Sequence, residues 1–162
     1  MGVKILFSDG LIKRFTDQNY DIIYNAIKYH NKLNIDDIKD ERTRMFAGLI
    51  RDVDKIDILY LLGTLEEKKP HKVNDQISPD MIKAIEQHQV VDKSCQHNYN
   101  DFLALRFAFP YDINNDICLP EIKNNLEAYY QTVGPRFAYQ NECAMNYIDE
   151  RMKNNVRSKI RS

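Results

Sequence analysis

The chain has 162 residues, 43 % of them hydrophobic and 29 % charged, with a formal net charge of −1. That length allows one domain with a real core, and neither a basic nor an acidic balance points to nucleic acid or a membrane surface. Five glycines and five prolines are few, which suits long helices and argues against a sheet with many tight turns.

Residues 3–7 are apolar and helix-forming and stop at Asp9-Gly10. The run is too short for a secretory signal, Leu6 stands where a myristoylation signal needs Ser or Thr, and its strong, uncapped start suggests that something upstream is missing. Residues 11–15 read as a short helical turn. A helix follows over 20–29, with Ile22, Ile23, Ala26 and Ile27 on one face and Asp17 or Asn19 as cap. The next starts near Asp40 and reaches about Leu62. Its apolar positions Met45, Phe46, Leu49, Ile50, Val53, Ile56, Leu59 and Tyr60 fall at spacings of three and four, and Gly63 ends it. Glu66-Glu67-Lys68-Lys69-Pro70 is a solvated connection. Ser78-Pro79-Asp80 is a helix start, with Ser as N-cap, Pro at the first position and an acid in the first turn; this helix reaches about Gln87. Another covers 99–107 and breaks at Phe109-Pro110-Tyr111-Asp112. Leu119-Pro120-Glu121 opens a helix to about Gln131, stopped by Gly134-Pro135, and a last one runs from about Phe137 to Asn154. With no repeat, no strand and no apolar stretch of membrane-spanning length, the expected fold is all-α. It is one helical domain over 1–155 with a frayed basic tail over 156–162, whose cations suit a helix end better than a nucleic-acid groove.

Two polar groups lie on apolar helix faces. His30 closes the stretch Ile23, Ala26, Ile27, His30. Asp54 neighbours Ala47, Ile50 and Ile58 at i−7, i−4 and i+4, and burying such a carboxylate costs several kcal/mol unless a cation or hydrogen bonds compensate. An imidazole and a carboxylate on facing helices make half of a metal site. Asp52 is an alternative acid, but it is about 200° from Asp54 around the helix, so the two cannot face one site. Other chemistry is thinner. Cys95 and His97 lack an orienting carboxylate. His71 and His88 read as surface residues. Tyr129, Tyr130, Phe137, Tyr139 and Tyr147 could stack on a base but read as packing. Cys95, Cys118 and Cys143 form no CxxC pair and read as free thiols of a reducing cytoplasm.

From Gly2 to about Tyr130 the chain resembles HD-domain proteins of the metal-dependent phosphohydrolase superfamily. The resembling blocks are Gly2-Val3-Lys4-Ile5-Leu6-Phe7 with Gly10-Leu11-Ile12, then Ala26-Ile27-Lys28-Tyr29-His30-Asn31-Lys32. The strongest is Ile50-Arg51-Asp52-Val53-Asp54-Lys55-Ile56-Asp57-Ile58-Leu59, similar to the family's closing RDADKLD helix, and Ile77-Ser78-Pro79-Asp80 is similar to its ISPE helix start. The resemblance implies an HD-like helical bundle. It also implies a divalent metal (Mn, Fe, Ni, Co, Zn or Mg) with His30 and Asp54 as ligands, Lys55 beside substrate phosphate, and a phosphorylated small molecule or nucleotide as substrate. The family's first His and its His-Asp doublet have no counterparts here, so the chain resembles the C-terminal part of such a domain, N-terminally truncated. A catalytic metal usually needs three protein ligands. With two, the expectation is a chain inactive by itself, with no residue assigned as catalytic. His30 and Asp54 could then hydrogen-bond each other, Lys55 could be a surface lysine beside Arg51, and Arg51 could pair with Asp54 or Asp52. A non-catalytic interaction module is the alternative. In either case the face carrying Ile5, Phe7, Ile27 and Ile50 would be open for a second copy or a partner chain.

Overall fold

The computed structural model describes residues 3–8, 10, 12, 19–64 and 76–161, with 158–161 as backbone alone. Its elements are a π-helical turn at Lys4–Ser8, then α1 (Tyr20–Tyr29), α2 (Glu41–Thr64), α3 (Pro79–Glu86), α4 (Tyr99–Ala104), α5 (Leu119–Val133) and α6 (Ala138–Arg161). Tighter 3-10 turns lie at Lys93–Cys95, Leu105–Asp112, Asp116–Cys118 and Pro135–Phe137. Among the described residues there is no strand, so the fold is all-α. None of their helices is long and apolar enough to cross a membrane. The turn expected over 11–15, apart from Ile12, lies outside the described residues, as do the charge run 66–70, His71 and Asp17.

The chain divides into two compact units, Met1–Asp54 and Lys55–Ser162, and α2 runs unbroken from the first into the second. In the first unit, Phe7 meets the rings of Tyr20 and Tyr24 edge-on at 6.1 and 5.3 Å. Asn19 holds the N-cap position of α1 without a side-chain hydrogen bond. At the start of α2 the Asp40 carboxylate accepts the Thr43 N–H at 2.7 Å, which satisfies an orphan donor of the first turn. Hydrogen bonding from Thr43 holds this carboxyl below the usual range. The segment between the helices is fastened through its carbonyls. Arg51 donates to the carbonyls of Lys32 and Leu33, and Arg44 donates twice to that of Ile38, at 2.9 and 2.6 Å.

The second unit holds a large apolar core, with Leu59, Met81, Ile85, Phe107, Leu126 and Tyr129 among its buried residues. Gly63 does not end α2, which continues to Thr64. A Cβ at this position would stand 3.1 Å from the Tyr129 nitrogen and 3.2 Å from the Ala128 Cβ. Gly63 therefore allows α2 and α5 to approach closely, and Thr132 Oγ1 donates across the contact to the Gly63 carbonyl at 3.1 Å. The helix expected over 99–107 is regular only to Ala104 and then tightens into the 3-10 segment containing Pro110. The pyrrolidine ring removes a donor and disfavours α geometry at the residue before it. An eight-residue 3-10 run is long for this geometry, and its buried Phe107, Ala108 and Tyr111 anchor it. Gly134, at φ 88°, closes α5 as expected and donates to the Tyr130 carbonyl. The last helix extends past Asn154 to Arg161, in keeping with cations favouring a helix C-terminus.

Candidate functional site

His30 caps the C-terminal end of α1, and its Nδ1 lies 2.5 Å from the Ile27 carbonyl oxygen. A carbonyl only accepts, so Nδ1–H is the donor in this contact, and Nε2 is the ring nitrogen not engaged by it. A neutral histidine held in this way coordinates through Nε2, its other nitrogen being engaged by a backbone acceptor. Asp54, on α2 in the same unit, is half-buried. Among the described residues no group of three or more His, Cys, Asp and Glu side chains is arranged to hold a metal ion.

Asp54 is half-buried, as its apolar neighbours suggested, but other charges of α2 are buried more deeply. Asp52 is fully buried, and Arg51 is 2 % exposed. A signal for Asp52 existed in its own helical neighbours, Ile56 at i+4 and Leu59 at i+7. Lys55 is not a surface lysine. It is 9 % exposed, and its ammonium lies 2.8 Å from Asp112 Oδ2, so a phosphate at Lys55 would compete with a carboxylate already in place. The Arg51 guanidinium reaches the Lys32 and Leu33 carbonyls, which binds α2 to the segment that follows His30.

A dense polar construction in the second unit is one that sequence reasoning missed. Asp101 is fully buried, and its carboxylate accepts from the Ser78 N–H and Oγ–H at 2.7 and 2.6 Å, from the His97 N–H at 2.9 Å and from the Asn98 N–H at 3.2 Å. Asn98 Oδ1 accepts the Asp101 N–H in return, which completes a capping box on α4. Ser78 is the N-cap of α3 as expected, but its hydroxyl serves Asp101 instead of its own helix. One carboxylate thus ties the starts of α3 and α4 together. Burial pushes its pKa up, but the hydrogen bonds from Ser78, His97 and Asn98 outweigh this and leave it below the usual carboxylate range. The Asn98 to Asp101 spacing was the available signal.

Beside this node, His97 Nε2 lies 2.8 Å from Asp80 Oδ2, both side chains exposed. His97 therefore has the orienting carboxylate that the local sequence lacked, supplied from α3. Cys95, however, packs half-buried against the core. Hydrogen bonding to Asp80 raises the His97 pKa, and the same bond lowers that of Asp80. In a proton NMR titration His97 is expected to titrate above the ordinary value of about 6.5 and to return towards it in Asp80→Asn. A His97 pKa unmoved by that substitution would show that the pair does not persist in solution. The stabilisation from protonated His97 is present below its unfolded pKa and is lost as pH rises through the raised folded one.

The remaining candidates are structural. His88 is exposed but sits at φ 51° beyond α3, where the hydrogen bond from Gln89 N–H to the Ala84 carbonyl at 2.9 Å closes the helix in the manner usually given to glycine. Its ring lies 5.1 Å from those of both Tyr111 and Tyr147, an aromatic seat that the polar local sequence did not show. Tyr129 and Phe137 are core. Tyr139 donates to Glu86 at 2.9 Å, which raises its pKa to about 12, and burial raises that of the Cys143 thiol. Cys95, Cys118 and Cys143 form no disulfide. Comparison of the chain with family models, with curated proteins and with solved structures finds no match.

Proposed function

We propose that the chain is a divergent helical module of the HD phosphohydrolase type, in which His30 and Asp54 are the metal-ligand positions, and that it does not turn over phosphate esters by itself. The resemblance of the block from Ile50 to Leu59 to the closing ligand helix of that superfamily supports the reading. The observation that carries it is the 2.5 Å contact of His30 Nδ1 with the Ile27 carbonyl oxygen: with Nδ1 engaged by a backbone acceptor, Nε2 is the nitrogen through which the neutral ring would coordinate a metal. Two donors hold a cation loosely and in no fixed geometry, so the metal (Mn, Fe, Ni, Co, Zn or Mg) requires further ligands before it can activate water. A phosphorylated small molecule or nucleotide would be the substrate of the completed centre, and the paired Lys55 would then serve as a point charge near its phosphate.

The experiment is a Mn titration followed by proton NMR, with metal analysis of the purified chain and an assay against a generic phosphodiester and nucleotides. Millimolar binding that broadens the His30 resonances, its loss in His30→Ala and in Asp54→Ala, and no turnover are expected. Binding unaffected by either substitution would remove the two ligands from the proposal. One tightly held metal per chain with turnover would overturn the claim that His30 and Asp54 alone do not support hydrolysis.

A second reading, a non-catalytic interaction module, is favoured by one observation. On α2 the apolar residues Met45, Val53 and Tyr60 are 54, 48 and 54 % exposed while Asp52 on the same helix is fully buried.

A further inference from the structure

Helix α2 buries several charges and exposes a row of apolar side chains. Its charged residues Arg51, Asp52 and Lys55 are buried, while Met45, Leu49, Ile50, Val53, Tyr60 and Leu61 are exposed. Exposing so many large apolar side chains on one continuous helix is unfavourable unless something covers them. The positions are not scattered. Phe46, Leu49, Val53, Ile56 and Tyr60 follow one another at steps of three, four, three and four, the spacing of a coiled-coil seam. Phe46 is half-buried, Ile56 is half-buried against the chain's own core, and the other three are exposed. Arg42, exposed, stands one step before Phe46, and Asp57, exposed, stands near the other end.

We propose that two copies of this chain pair antiparallel along α2. The seam is self-complementary in that direction. With Leu49 set against the partner subunit's Val53, Phe46 falls against the partner subunit's Ile56, and Arg42 against the partner subunit's Tyr60. The two-fold relation repeats each pairing at the other end, an isologous interface. The paired stretch from Arg42 to Tyr60 spans about 27 Å of helix. Charge decides the direction. A parallel pair would set Arg42 against Arg42 and Asp57 against Asp57. The antiparallel pair brings each Arg42 within reach of the partner subunit's Asp57 and of the face of the partner subunit's Tyr60, one turn apart on the same helix, so an ion pair and a cation–π contact close both ends. In the single chain Arg42 already lies over a seam residue, its guanidinium carbon 6.0 Å from the Phe46 ring centre. The pairing does not depend on the metal reading, because neither His30 nor Asp54 takes part.

Sedimentation velocity of the full chain between about 1 and 100 μM tests this. The mass is expected to rise from 19.1 kDa towards twice that value with concentration. Leu49→Glu combined with Val53→Glu puts charges into the seam at exposed positions and is expected to hold the chain monomeric throughout, with an unchanged far-UV circular dichroism spectrum. Arg42→Glu and Asp57→Arg are each expected to raise the dimer Kd about tenfold, and the two together to recover most of that loss, because the swap restores opposite charges only between antiparallel copies. A chain that stays monomeric at the highest concentration overturns the proposal. A dimer that survives the double Glu substitution, or a charge swap that recovers nothing, does the same. Should the double Glu protein lose helix, the charge swap alone decides.

Discussion

Asp101→Ala is expected to lower the unfolding free energy by about 3 kcal/mol, among the largest losses from a single polar side chain in this protein. The carboxylate is fully buried and takes four donors from two helix starts. Hydrogen bonds to a charged group contribute about 1.5–3 kcal/mol each in favourable cases, and a buried donor left unsatisfied costs about 1–3 kcal/mol. Truncation strips the Ser78, His97 and Asn98 N–H groups of this acceptor at once; water entering the gap and non-additivity keep the total near the lower end of such sums. Asp101→Asn is expected to lose nearly as much, since one amide nitrogen must face a donor. Acid supplies an independent check. The folded pKa lies below the unfolded one, so this contribution is complete above about pH 4 and drains as pH falls through the folded value. The wild type should therefore lose stability in that window through this group, while Asp101→Asn should lack that component. Urea unfolding at pH 7 and at pH 3 on both proteins measures it. Equal acid losses in the two would show that Asp101 is not the group responsible.

Phe107→Ala is expected to cost about 4 kcal/mol. Phe107 is fully buried within the 3-10 segment, its ring centre 5.5 Å from that of Tyr129 on α5 and 5.7 Å from that of Phe137 just before α6. Removing it leaves a void among three elements and forfeits two aromatic contacts, each worth about 0.5–1.5 kcal/mol beyond area burial. Against a total stability of roughly 5–15 kcal/mol, such a loss leaves the second unit marginal. Phe107→Leu, which refills most of the volume, should recover more than half. Thermal and urea denaturation of both variants test this. A loss under about 1 kcal/mol for the alanine variant would mean that the site collapses around the gap and that the 3-10 segment is held by other residues.

Legibility differed by type of feature. The helix over 20–29 was readable from Ile22, Ile23, Ala26 and Ile27, and the start at Ser78-Pro79 and the stop at Gly134 from their own backbone chemistry. Gly63 reads as a stop in the sequence, because a glycine needed for close approach and one needed for a cap look alike until a facing backbone is present. The change to 3-10 winding after Ala104 needed Phe107 and Tyr111 to be anchored. At the candidate site, the sequence named His30 and Asp54 but could not show the hydrogen bond from Nδ1 to the Ile27 carbonyl, nor that Asp52 is the fully buried acid.

Periodicity and capping residues by themselves determined that this chain is helical, and nearly where each helix begins, because backbone hydrogen bonding and local sterics act within a few residues. Only tertiary structure decided which face of α2 is covered, that Lys55 meets Asp112, and that one carboxylate joins Ser78 to Asn98. Those outcomes depend on desolvation and on partners far away in the chain, and no local pattern contains either.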